Sequence, residues 1–203
     1  MHRLLALSVA LAGLPAWGAA QELIVNGHFH TDINGWTMTQ GLGTQVWDPL
    51  DWQANPGSGS LRLTNGNTTA NGLTVTGQCI PLTPSGTYEV GGHVRFPSPT
   101  VGGFGGIIVG WFDNPTCAGA PLATTNTPPV LTTTTNTWVE SFTAAITAPP
   151  GTVAVGVGPG TVKLAGAGTL DALFDRVRFG PTGTTPVTGQ TFRRVTAGPS
   201  RSS

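Results

Sequence analysis

The sequence predicts an all-β protein, an antiparallel β-sandwich or jelly roll, and three observations carry that expectation. Beyond residue 20 no stretch keeps the 3.6-residue apolar period of a helix, whereas short runs of apolar–polar alternation recur throughout. Those runs are bounded by turn formers, with 30 Gly and 17 Pro among 203 residues. Yet 38% of the chain is hydrophobic and gathered in strand-length pieces, so the glycines and prolines punctuate strands rather than dissolve the fold. Charged residues make up only 9%, with Thr and Asn supplying polar surface in the manner of extracellular β-proteins.

Taken in order, residues 1–20 have the pattern of an export signal. Met1–Arg3 is basic, Leu4–Leu14 is apolar, Pro15 breaks it, and Gly18-Ala19-Ala20 offers small residues for cleavage after Ala20. The apolar run is too short to cross a bilayer about 30 Å thick. The mature chain is therefore expected to be secreted, to the periplasm or beyond, without a membrane span. Leu23-Ile24-Val25 opens the first strand and ends at the turn pair Asn26-Gly27. Leu61 and Leu63 share a face with Arg62 between them. In Thr87–Phe96 one face is Tyr88, Val90, Gly92, Val94 and Phe96; the other includes Glu89, His93 and Arg95. Gly106–Phe112 is nearly all apolar, as in a strand covered on both faces. Trp138–Ile146 and Val153–Val157 continue the pattern. Phe174–Phe179 closes it, with Asp175, Val177 and Phe179 on one face and Phe174, Arg176 and Arg178 on the other. Trp47–Ser60 and Asn114–Thr137 are expected as long polar loops.

This places one domain over residues 21–180, followed by a Pro/Thr/Gly-rich tail, 181–203, expected to be disordered. The domain holds all nine acidic residues against five basic ones, which is the wrong balance for a nucleic-acid partner. Its two cysteines, Cys79 and Cys117, are expected to pair in an exported chain. Closing that loop stabilises by roughly 4 kcal/mol in the chain-entropy model.

Several motifs in sequence order carry a family resemblance. Leu23-Ile24-Val25-Asn26-Gly27-His28-Phe29-His30 with Asn34-Gly35-Trp36 forms the opening, and Gly57-Ser58-Gly59-Ser60-Leu61-Arg62-Leu63 a following strand. Then come Gln78-Cys79 with Cys117, Trp138 with Ala148-Pro149-Pro150-Gly151, and the closing Phe174-Asp175-Arg176-Val177-Arg178-Phe179. Together they resemble CenC-type carbohydrate-binding-module-like domains (CBM4/9-like) of secreted bacterial proteins, which have a galactose-binding-like jelly roll. The resemblance implies glycan binding, and a structural calcium where first and last strands meet, with Asp175 as candidate ligand. His30 and Arg176 stand where the pattern has acidic residues. Calcium takes six to eight oxygens, so the place is expected either to hold the ion or to be a metal-free remnant.

For a glycan, aromatic faces stack on sugar rings and a few polar groups fix the hydroxyls. Trp36, Tyr88, Phe96, Trp111, Phe142 and Phe179 fall in apolar patterns and are assigned to packing. Trp47 and Trp52, beside Asp48 and Asp51, lie in a polar loop and are the candidate stacking residues, either of which has capping the sandwich as its alternative. Asp51, His93, Arg95 and Glu140 are candidate polar contacts, with solvated strand-face charge as the alternative for the last three. His28 and His30 would face one way on an extended strand, but no third metal ligand follows at a suitable spacing. No G-x-S-x-G, H-E-x-x-H or triad-like order is present, so no catalytic centre is expected. The expected function is non-catalytic binding of a polysaccharide or cell-surface glycan. The alternative is an extracellular structural or adhesion domain that contacts protein or cell-envelope partners.

Overall fold

The computed structural model describes residues 21–82, 86–98, 101–134 and 136–182. The expected export segment lies outside them, as does the 181–203 tail apart from Pro181 and Thr182. The described residues form eleven strands and no helix. The first six are β1 (Thr37–Gln40), β2 (Gly43–Asp48), β3 (Ser60–Asn65), β4 (Gly72–Pro81), β5 (Thr87–Arg95) and β6 (Gly103–Phe112). The rest are β7 (Ala123–Asn126), β8 (Val130–Leu131), β9 (Val139–Thr147), β10 (Ala154–Lys163) and β11 (Leu170–Pro181). They pair, always antiparallel, into a six-stranded sheet ordered β1-β4-β10-β6-β7, with β8 also on β6, and a five-stranded sheet ordered β2-β3-β11-β5-β9. The sandwich expected from the alternation is the fold of this chain.

Its core forms where the apolar faces meet. Leu61, Leu63, Val90, Val94 and Phe174 from one sheet and Ile107, Val109, Trp111 and Val155 from the other are fully buried. Each such side chain stabilises by roughly 1.5–3 kcal/mol relative to an exposed one. Phe179 and Tyr88 stack with centroids 5.0 Å apart, and Trp111 meets Phe179 edge-on at 6.2 Å. Trp36 is buried and donates Nε1–H to the Asn26 carbonyl at 3.0 Å. Cys79 on β4 is disulfide-bonded to Cys117 in the loop after β6, with Cα atoms 5.8 Å apart.

The structure corrects the element assignment in four places. Trp47 and Asp48 belong to β2, so the polar loop begins only at Pro49. The segment 114–137 is not all loop but adds β7 and β8 to the edge of the six-stranded sheet. β6 is not evenly covered on its second face: Ile107, Val109 and Trp111 are buried on one face, whereas on the other Gly110 and Phe112 are buried but Phe104, Gly106 and Ile108 are only half-buried. Leu23-Ile24-Val25 forms no strand. It lies along the end of β11, where Leu23 N donates to Phe179 O at 2.9 Å and Val177 N donates to Gly27 O at 2.9 Å. A Cβ on Gly27 would stand 2.0 Å from the Val177 carbonyl oxygen, so only glycine allows this approach.

The closing strand differs from simple alternation in a way that positions the site. Phe174 pairs with Val94 and Phe179 with Val90, so both phenylalanines face the core. Between Asp175, opposite His93, and Arg178, opposite Gly91, β11 carries one more residue than β5. The bulge is at Arg176, whose φ is +47°. An extra residue resets the parity of everything after it, which puts Asp175 and Arg178 together on the outer face.

Candidate functional site

The outer face of the five-stranded sheet is covered in part by the loop from Pro49 to Gly59, and that loop is built by its own side chains. Asp48 Oδ1 accepts from Leu50 N at 2.9 Å. Asp51 Oδ1 accepts from Gln53 N at 2.7 Å and Asn55 N at 3.0 Å, and Asn55 Oδ1 accepts from Gly57 N at 3.0 Å. Such Asx turns replace a regular ladder with local side-chain acceptors. The loop is tied to the sheet where Trp52 N donates to Asp175 Oδ2 at 3.1 Å. The Trp52 ring then stacks on His93, centroids 4.1 Å apart, and the Arg176 guanidinium carbon lies 5.0 Å from the Trp52 ring.

Cross-strand pairing extends this cluster sideways. His93 on β5 stands opposite Asp175 on one side and Glu140 of β9 on the other. Arg178 pairs with Glu140 at 2.9 Å and lies 4.5 Å over the Phe142 ring. Arg95 projects on the same face two residues from His93, its Nη2 3.5 Å from Asn136 Oδ1. Farther along, Arg62 holds Asp48 at 2.6 Å and Asp171 at 3.6 Å.

Electrostatics inside the cluster are set mainly by burial. Loss of solvent pushes the Asp175 carboxyl up to about 8. The backbone N–H groups of Trp52 and Arg176 pull it down, and the neighbouring Asp51 carboxyl pushes it up again. Burial holds the His93 imidazole down at about 4, opposed by Glu140 and reinforced by Arg176 and Arg178. His93 is thus a neutral ring under Trp52 near pH 7, with a buried Nδ1 that finds no hydrogen-bond partner among the described residues.

Of the six candidate sugar contacts, the fold brings Trp52, His93, Arg95 and Glu140 onto this one face. Trp47 is not among them. It pairs with the buried Leu61, packs against the core and donates Nε1–H to Phe29 O at 2.8 Å, which is the capping role. A Cβ on Gly59 would come within 2.6 Å of its ring, so Gly59 makes room for it. Asp51 is buried, its oxygens turned to the loop backbone and toward Asp175. Around Asp175 the expected calcium set does not form. Its two oxygens accept from Trp52 N and Arg176 N, Asn26 O is engaged by Trp36, and the adjacent Arg176 is a cation. Among the described residues no three His, Cys, Asp or Glu side chains gather in a metal-holding group.

Arg176, Arg178 and Phe142 were not among the expected site residues. Simple alternation set Arg176 and Arg178 together on the face opposite Asp175. Only the bulge reveals their real placement, and no glycine or asparagine marks it in the sequence. His28 and His30 do share a side, as expected, but not on an extended strand. Phe29 between them has φ +45°, and their rings lie nearly parallel with centroids 5.8 Å apart.

The sequence matches no protein-family model and no curated protein. Solved structures do share the fold. The xylan-binding domain from carbohydrate-binding module family 22 superposes with a TM-score of 0.56 at 18% identity, covering 84% of this chain and 99% of that one. The CBM22-1 xylan-binding domain of Paenibacillus barcinonensis Xyn10C gives 0.55 at 15% identity, covering 81% and 96%. The enzymatically active domain of Bacteriophage CBA120 tailspike protein 4 gives 0.56 at 16%, but the match covers 79% of this chain and only 21% of that one. These likenesses show the fold, a β-sandwich shared with carbohydrate-binding modules; the two modules compared are of family 22.

Proposed function

We propose that this chain is a secreted, non-catalytic carbohydrate-binding module that takes a polysaccharide or cell-surface glycan on the outer face of its five-stranded sheet. The observation that carries the reading is the convergence there of Trp52, His93, Arg95 and Glu140 from three separated parts of the chain. Trp52 is pre-positioned by His93, by Asp175 and by Arg176, so little ordering entropy is lost when a sugar meets it. The Glu140 carboxylate, with its side chain 50% exposed, and the Arg95 guanidinium have the acceptors and donors that sugar hydroxyls need. Two of the fold neighbours are named xylan-binding domains, which makes xylan the first polysaccharide to try. Two carboxyls at this face, Asp51 and Asp175, are 7% and 1% exposed and too enclosed to reach a glycosidic bond, which supports the non-catalytic part of the reading.

The test is retention on insoluble xylan and a panel of other polysaccharides. Wild-type protein is retained on at least one of them. Trp52→Ala and Glu140→Gln bind it about ten-fold more weakly, equivalent to about 1.4 kcal/mol. Trp47→Phe, which keeps the packing aromatic, binds as wild type. Retention on no polysaccharide, or retention that ignores both site substitutions, contradicts the proposal.

A further inference from the structure

Beside the Trp52 stack, between the N-terminal segment and the bulge of β11, lies a cavity of about 210 Å³ lined by Glu22, His28, His30, Arg176 and Arg178. We propose that this cavity is an anion subsite that receives a carboxylate or sulfate substituent of the glycan, so that the ligand of this protein is an acidic polysaccharide. The proposal rests on the glycan reading above and names its substrate class.

First, guanidinium charge at the cavity is only partly compensated. Among the described residues no carboxylate lies within ion-pair distance of Arg176; its guanidinium rests over the Trp52 ring. Arg178 gives Nη2 to Glu140, but its Nε is buried without an acceptor. A buried guanidinium N–H left without a partner is costly, and groups of this kind recur where a ligand completes the set. The one carboxylate on the wall, Glu22, has Oε1 occupied by the N–H groups of Ile24 at 3.0 Å and Phe179 at 2.8 Å. An incoming anion therefore meets two guanidinium and two imidazole groups against a single carboxylate, Glu22, whose charge also faces Arg178.

The second argument is that His28 registers the field. Its imidazole is held below the ordinary histidine value, first by burial and then by the charges of Arg176 and His30. Asp51 opposes them but ranks below both. Among the charges acting on His28 the Arg176 guanidinium ranks ahead of the Asp51 carboxyl, and an anion beside the ring would favour its protonated form. Third, besides Asn26 at φ +53°, a residue type that tolerates it, two residues are kept in the left-handed backbone region at this place, Phe29 at φ +45° and Arg176 at φ +47°. Each costs roughly 1–2 kcal/mol, and together they bring both imidazoles and one guanidinium to a single cavity. Because Arg176 touches both Trp52 and the cavity, a sugar against Trp52 would present its charged substituent directly to the subsite.

The experiment uses the whole protein and two readouts. In the first, histidine ring C–H shifts are followed by NMR at pH 6 and constant ionic strength while sodium sulfate, or separately sodium glucuronate, is added. Saturable movement of the His28 and His30 resonances is expected, at least five-fold weaker in Arg176→Gln and partly regained in Arg176→Lys. Whichever anion saturates at lower concentration identifies the substituent. Affinity rises as pH falls, since binding favours the protonated form of His28 against Arg176, Arg178, His30, Glu22 and Asp51. In the second, retention on glucuronoxylan is compared with its carboxyl-reduced form, and on a sulfated with a desulfated polysaccharide. The acidic member of a pair is expected to bind about ten-fold more tightly, and Arg176→Gln removes that difference. Linear, non-saturating shifts with both anions overturn the subsite, as does equal retention of acidic and neutral forms. Saturable anion binding without retention on any polysaccharide upholds the subsite and overturns the glycan reading. Retention indifferent to charge does the reverse.

Discussion

At the scale of single residues, Asp175 and His93 stand opposite each other and titrate in opposite senses. The Asp175 carboxyl rises from 3.8 to about 8 on folding, so its contribution to stability is complete below pH 3.8 and is lost as pH climbs toward 8. His93 falls from 6.5 to about 4, so its contribution is complete above pH 6.5 and is lost as pH drops toward 4. Between pH 4 and 6.5 the two slopes oppose each other, and between pH 6.5 and 8 Asp175 acts without His93. Denaturant unfolding should therefore show wild-type protein losing about 1–2 kcal/mol from pH 6.5 to 8, at up to roughly 1.4 kcal/mol per unit. Asp175→Asn should show a much flatter profile over that interval, and equal slopes in the two proteins would refute the assignment. Neither value is legible in sequence. Both come from burial under Trp52, and that burial depends on a loop whose turns are written by Asp51 and Asn55. The difference between Trp47 and Trp52 is hidden for a related reason: five residues apart, one is fixed by strand register against Leu61 and the other by a loop contact.

At the scale of elements, the decisive feature is the bulge in β11. Alternation across Phe174–Phe179 sends the two phenylalanines to opposite faces; one inserted residue returns both to the core and places Asp175 and Arg178 on the outer face. Its left-handed residue yields a prediction independent of ligand. Arg176→Gly should be more stable than Arg176→Ala by about 1 kcal/mol in thermal denaturation, because only glycine adopts that φ without a Cβ clash. The reverse order would mean that the bulge is not centred there. Strands with strong alternation, β5 above all, were readable from the chain because their apolar set fits one buried face. β1, β7 and β8 were not. They are two to four residues long, β1 and β7 are largely polar, and all three exist because an edge of an existing sheet offers them backbone partners.

At the scale of the whole molecule, a sandwich gives two outer faces, and here they differ in chemistry. The five-stranded sheet presents charged and aromatic side chains under a structured loop. The six-stranded sheet presents a trough that includes Gly77, Gly110, Gly156 and Gly158, beside Phe112 and the Cys79–Cys117 disulfide. Sequence patterning foretold the sandwich and its staple, since both depend on local periodicity and on cysteine count. It offered Trp52, His93, Arg95 and Glu140 as candidate contacts, but not Arg176 beside them or the loop contact that seats Trp52 on His93, because these meet only through the bulge of β11, the strand order β11-β5-β9 and the loop above it. The most direct measurement of the central claim is an NMR titration of the tryptophan indole N–H groups with soluble fragments of the polysaccharide that retains the protein. The indole N–H groups of Trp36, Trp47 and Trp111 are committed to Asn26 O, Phe29 O and Thr125 Oγ1. The Trp52 indole N–H, together with the His93 ring, should move saturably while those three stay in place. Stationary Trp52 and His93 signals, with saturable shifts instead at Ile108, Phe112 and the disulfide trough, would contradict it.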